Sequence, residues 1–152
     1  MTDTTATMTT RTPWHLWAVG VISLLWNGFG AYDFIMSMTQ GATYWRASGM
    51  NDAMIAYYNA MPTWMYVPWV LGVWGGVAGS ILLLMRSRFA VHAFVLSEIG
   101  AVVSLLYGTV IDRAPPAPPE MAVMTYMPWV IAVITAALAW YAWTMSKKGV
   151  LR

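Results

Sequence analysis

The segment WMYVPWVLGVWGGVAGSILLLM, positions 64–85, carries no charged residue, and its one proline falls where the first turn of a helix would be. A bilayer's hydrocarbon core is ~30 Å thick, so a helix rising ~1.5 Å per residue needs roughly 20 residues to cross it. Segment 64–85 is long enough. Within lipid a helix also bonds every backbone N–H and C=O inside the segment. Three stretches of similar length surround it, at 14–38, 89–111 and 121–144, each edged by Trp, Tyr or Arg. The chain therefore reads as an all-α membrane protein, a four-transmembrane-helix bundle.

Composition points the same way. Of 152 residues, 59% are hydrophobic and 9% charged, whereas soluble domains run near ~25% charged and need that polar surface to stay dissolved. The net charge of +2 comes from basic residues at span ends, which orient a membrane protein, so nucleic acid is not an expected partner. With no cysteine there is no disulfide, thiolate metal site or thiol nucleophile. Residues 1–13 are polar and Thr-rich and read as a disordered tail. A secretory signal would have a shorter apolar core than the run that follows.

The eight Lys and Arg residues are unevenly placed. With four crossings, Arg11, Arg86, Arg88, Lys147, Lys148 and Arg152 share one side, and only Arg46 and Arg113 lie on the other. The positive-inside rule then puts both termini in the cytoplasm, with residues 145–152 as a basic tail. Arg86-Ser87-Arg88 forms a tight turn between the second and third spans. The outer loops hold a short interfacial helix near 52–59 and the stiff extended run Ala114-Pro115-Pro116-Ala117-Pro118-Pro119. Trp14, Trp17, Trp140 and Trp143 fall at the inner interface, and Trp45, Trp64, Trp69 and Trp129 at the outer one. Amphipathic rings are favoured there, so anchoring accounts for them, and their spacing marks no site for a flat cofactor.

Tyr66-Val67-Pro68-Trp69-Val70 is echoed by Tyr126-Met127-Pro128-Trp129-Val130. Both open a span from the outer side with proline in the first turn, where its missing N–H costs little. The echo hints at a duplicated helical hairpin. Small residues stripe each span: Gly72, Gly75, Gly76 and Gly79 with Ser80 in the second, and Ser97, Gly100, Ala101 and Ser104 in the third. The first has Gly20, Ser23, Asn27 and Ala31, and the fourth Ala132, Ala136 and Ala139. Such stripes let helix backbones approach closely, the main attraction where lipid removes the hydrophobic driving force.

Polar residues inside the spans are the candidate site, since a mid-bilayer charge costs ~3 kcal/mol on insertion scales. Glu98 lies ~15 Å beyond Arg88 at helical rise, close to the midplane. As a structural residue it would be neutral and hydrogen-bonded to Ser or Tyr on a neighbouring helix; as a functional one it would bind or relay a proton or cation. Asn27, also deep, reads as interhelical glue. Asp33, ~28 Å beyond Trp14, reaches the outer interface, solvated or paired with Arg46 or Arg113.

His15 and His92 sit at similar depth near the inner ends of their spans, the two candidates for a metal or haem pair. His92 points away from the small-residue stripe, so interfacial snorkelling is preferred and no metal or cofactor is assigned. Nine of the 13 methionines lie toward the outer side. Thioethers suit Cu(I), but adaptable packing explains them as well.

Leu24-Leu25-Trp26-Asn27 with Gly30, then Pro62-Thr63-Trp64, then Gly79-Ser80-Ile81-Leu82-Leu83-Leu84 running into Arg86, Arg88 and Ala90, with Ser97 beyond, resembles a group of small bacterial four-helix inner-membrane proteins. Their function is unknown, and some are loosely labelled sugar transporters. The resemblance covers most of the chain and implies a multi-pass protein of the bacterial inner membrane, but it transfers no catalytic or substrate residue. Glu98 and the Pro-rich loop lie outside it.

No zinc-protease motif, phosphate-cradling glycine loop or nucleophile triad is recognisable by spacing. The expectation is a non-enzymatic accessory or homo-oligomeric component of a membrane complex. The alternatives are a small-solute or proton-coupled transporter using Glu98, and a haem- or pigment-binding subunit.

Overall fold

A computed structural model describes residues 11–152. The disorder expected of the N-terminal tail falls mainly on residues 1–10, outside the described residues. The chain is helical, with no strand among the described residues. Four helices are long and apolar enough to cross a membrane. They are α1 (Trp14–Gln40), α4 (Tyr66–Leu84), α5 (Phe89–Leu106) and α6 (Met127–Lys147), with the short α2 (Ala42–Ala47) and α3 (Asp52–Ala60) between the first two. Consecutive spans pack as neighbours, α1 on α4, α4 on α5 and α5 on α6. One end of the bundle, the basic end, gathers Arg11, Arg86, Arg88, Lys147, Lys148 and Arg152. The other, acidic end holds Asp33, Asp52, Asp112 and Glu120.

Small residues decide the α4–α5 seam. A Cβ added to Gly100 would collide with the Pro68 carbonyl and the Gly72 N–H, and one on Gly75 would come within 3.0 Å of Ser97 N and 3.1 Å of Ala93 O. Backbone thus lies on backbone, the geometry small-xxx-small faces permit. Gly79 leaves room for the Phe94 ring and Gly76 for the Asn27 carboxamide. Along α1 the buried residues are Leu16, Gly20, Ser23, Asn27, Ala31, Phe34 and Ser37, steps of three or four that keep one face on α4. Ser104 is half-buried on α5.

At the basic end all four spans converge. Leu16 of α1, Leu83 of α4, Ala90 and Phe94 of α5, and Leu138, Ala142 and Met145 of α6 form the apolar core. Residues 145–152, the expected basic tail, fold back onto the bundle. Val150 and Leu151 are buried in that core, and Arg152 N–H donates to Arg86 O at 2.7 Å while Arg88 N–H donates to Arg152 O at 2.9 Å. The apolar pair Val150-Leu151 seals the cluster, and the backbone bonds latch it to the turn between α4 and α5.

Toward the acidic end α6 separates from the others: no residue at 127–134 is buried. The fourth candidate span, Pro119–Lys147, contains the expected 121–144 but is not one continuous α-helix. Pro119–Thr125 is a 3-10 helix with Met121 at φ −114°, ψ 20°, and α6 begins only at Met127. Pro128 is the reason, since a continuous helix would set its ring against the Met124 carbonyl and leave that carbonyl without a donor. Pro68, its echo in α4, is buried, whereas Pro128 is exposed; the two segments share a way of starting a helix but not a packing environment.

The α1–α2 bend was not anticipated. Gly41 takes φ 52°, α2 folds back, and the buried Trp45 indole donates to Ser37 Oγ at 3.0 Å. The expected interfacial helix is α3, capped by Asn51, whose side chain accepts from Met54 N–H at 2.9 Å. Residues 113–118 have no regular secondary structure, and Pro118 is extended at φ −54°, ψ 152°.

Two matched substitutions test the α4–α5 contact. Gly100→Ala should lower stability in detergent by about 1–3 kcal/mol through overpacking. Gly28→Ala, where an added Cβ meets nothing within 4 Å, should change it by less than about 0.5 kcal/mol. Equal unfolding midpoints for the two variants would contradict the packing described.

Candidate functional site

A polar layer crosses the middle of the bundle. Asn27 on α1, Gly76 and Ser80 on α4, Ser97 and Glu98 on α5, and Thr135 on α6 all fall near the centres of their helices. Asn27 is buried; its Nδ2 donates to Ser23 O at 2.8 Å and to Ser80 Oγ at 3.2 Å, and Ser80 Oγ donates to Gly76 O at 2.8 Å. Ser97 Oγ donates to Gly72 O at 2.6 Å. Ser97 and Glu98 are adjacent in sequence, hence ~100° apart around the helix. One faces α4 and the other α6.

Glu98, half-buried, meets the hydroxyl of Thr135 across the α5–α6 seam. The expected partner was Ser or Tyr; threonine takes the place. The same hydroxyl lies 3.0 Å from Ile131 O and 3.2 Å from Ala132 O, one turn back on its own helix. A hydroxyl has a single hydrogen. If Thr135 gives it to Ile131 O, it accepts from a neutral Glu98 carboxyl; if Glu98 is ionised, Thr135 turns the hydrogen toward it. The pair accommodates either protonation state by rotation about one bond. Throughout the described residues, no buried side-chain nitrogen or oxygen is without a hydrogen-bond partner.

Asp33 does not join this layer. Expected to be solvated or paired with Arg46 or Arg113, it accepts from Tyr44 OH at 2.9 Å at the acidic end. Arg46 instead pairs with Asp52 at 2.8 Å, both side chains largely exposed. The reason is local: the Gly41 turn brings Tyr44 back over the last turns of α1. Burial, then the Asp33 bond, raises the Tyr44 phenol above its ordinary value, and burial followed by the Asp33 charge does the same for Tyr58.

A second aromatic group sits beside it. Beyond α5 the chain continues as a π-helical turn, Tyr107–Ile111, a widening that turns the segment toward α3. Tyr57 OH donates to Asp112 O at 2.9 Å and Tyr107 OH to Asp112 Oδ2 at 3.2 Å. Burial pushes the Tyr57 phenol up to about 12, with the charge of Asp112 next in weight.

The two histidines take separate partners. His15 Nδ1 is 2.6 Å from Tyr141 OH, joining α1 to α6 at the basic end. His92 is exposed beside Phe89, ring centroids 6.0 Å apart. Among the described residues no group of three or more His, Asp and Glu is placed to hold a metal ion. The outer methionines divide between the core, as Met54 and Met65, and the surface, as Met38 and Met124; Met121 Sδ rests on Gly49.

No protein family matches the chain, and no curated protein or solved structure does either.

Tyr57 supplies a pH test of the acidic-end geometry. Its phenol ionises near 10 when unfolded and about 12 when folded, so folding favours the neutral form. That contribution is complete below pH 10 and is lost as pH rises toward 12. Unfolding midpoints across this window should fall for the parent chain and fall less steeply for Tyr57→Phe; parallel curves would show that Tyr57 is not held as described.

Proposed function

We propose that this chain is a non-enzymatic component of the bacterial inner membrane, its basic end toward the cytoplasm, working as a small accessory or self-associating part of a larger membrane complex. The observation that carries this is the fourth span. Its apolar window is 11% buried against 33% for the third. Its Ala136 is exposed, although Ala132, Ala136 and Ala139 form the stripe that would bring another helix close. Gentle extraction followed by mass measurement in detergent should give an assembly heavier than one 16.9 kDa chain. Bulky Ala136→Phe should reduce that assembly; a monodisperse single chain would reject the proposal.

A second reading, proton-coupled solute transport, draws on Glu98 and Thr135. A half-buried mid-span carboxyl whose partner serves both protonation states has what a proton relay requires. In proteoliposomes, Glu98→Gln should abolish pH-dependent flux of a transported solute. Flux that persists would remove Glu98 from any such mechanism.

A further inference from the structure

Helices α4 and α6 end at the basic end with the same backbone motif built from different residues. After α6, Gly149 takes φ 68° and Val150 N–H donates back to Met145 O at 3.0 Å. After α4, Arg86 takes φ 58° and Ser87 N–H donates back to Leu82 O at 2.8 Å. Glycine enters this left-handed conformation freely, while any residue with a Cβ crowds the following carbonyl. Arg86 is the one non-glycine residue with positive φ among the described residues. The chain thus sets an arginine, at a conformational cost, where α6 uses glycine, and such strain points to the side chain's use.

Arg86 lines an open surface hollow of about 280 Å³ together with Met85, Ser87 and Arg152. The Arg86–Arg152 and Arg152–Arg88 backbone bonds hold three guanidinium-bearing residues together. Arg86 Nε donates to Val150 O at 3.4 Å, which leaves the two terminal guanidinium nitrogens free to face an anion. The ion pair among the described residues, Arg46 with Asp52, lies at the opposite end, and no described side-chain carboxylate comes within 4.0 Å of a guanidinium nitrogen of the three arginines. The first turn of α5 begins at Phe89 beside them and adds the positive end of its dipole. Trp14, Trp17, Trp140 and Trp143 are exposed around the same end, which sets the hollow at headgroup depth.

We propose that this hollow binds a phosphate group, with Arg86 and Arg152 as its direct ligands and Arg88 adding charge alongside. Guanidinium forks suit phosphate oxygens, and basic pockets at membrane helix ends take anionic headgroups. The inference is independent of the accessory and transport readings. An anionic phospholipid and a free phosphate share this chemistry, and the experiment separates them.

The full chain in neutral detergent would be exposed to an equal mixture of phosphatidylcholine and phosphatidylglycerol, and retained lipid read by native mass spectrometry. The expected result is a preference for phosphatidylglycerol of at least about tenfold, corresponding to two arginines at the headgroup. The Arg86→Gly, Arg152→Gln double variant should lose it, and a Lys147→Gln, Lys148→Gln control should keep it. Glycine suits the Arg86 conformation, so a folding failure is not built into the variant, and a thermal midpoint no lower than the parent's checks this. Inorganic phosphate added at constant ionic strength that displaces the lipid, or stabilises the parent chain but not the double variant, assigns the same site to soluble phosphate. The proposal is overturned if the double variant retains the preference, if the lysine control loses it equally, or if neither lipid nor phosphate distinguishes parent from variant.

Discussion

The structure depends on how closely α4 and α5 approach. Gly100 against Gly72 and the Pro68 carbonyl, and Gly75 against Ser97 and Ala93, bring two backbones into direct van der Waals contact. In lipid, where burial of apolar surface offers no advantage between helices, that dispersion contact is the main attraction available. Everything else is arranged around this pair. Gly76 and Gly79, on the flanks of the same helix, make room for Asn27 of α1 and Phe94 of α5. The outer spans are then positioned by what they place against the central two.

The polar layer follows from the same geometry. Ser97 reaches the Gly72 carbonyl because the glycine has no side chain in the way, and Asn27 reaches Ser80 across Gly76. These bonds fix the rotation of α1 and α5 relative to α4, which dispersion alone sets loosely. Glu98 and Thr135 give α6 its equivalent restraint. Below them the apolar core and the returning Val150-Leu151 pair hold that span at the basic end, and above them it is uncovered.

Much of this was legible in the residues. Spans, their order and the small faces of α4 and α5 follow from apolar length and from glycines three and four apart, because lipid constrains backbone bonding so strongly. Asn27 and Glu98 stood out as polar groups in apolar runs. Thr135 was passed over, since a threonine among alanines and isoleucines bonds its own helix carbonyl and gives no sign of a second partner. The break inside the fourth span was missed although Pro128 announced it. The docking of the C-terminal segment also had a signal, an apolar pair directly after Gly149, the pattern that accompanies a glycine-terminated helix. Asp33 was expected at the outer end, solvated or paired with an arginine; its tyrosine partner was not foreseen because it depends on a bend at Gly41. The left-handed Arg86 had no sequence signal, since a basic turn between two spans is accounted for by orientation.

Uneven grip on α6 bears on the order in which the chain assembles. The short Arg86-Ser87-Arg88 connection lets α4 and α5 pair as soon as both have entered the bilayer, with α1 already present to fill the Gly76 side. The last span arrives later, through a proline-bearing link, and its hold at the basic end is completed only when Val150 and Leu151, beyond Lys147, have been made and folded against the core. Until then it is free to pivot about Thr135. A neighbouring polypeptide able to engage it during that interval competes with the chain's own closure.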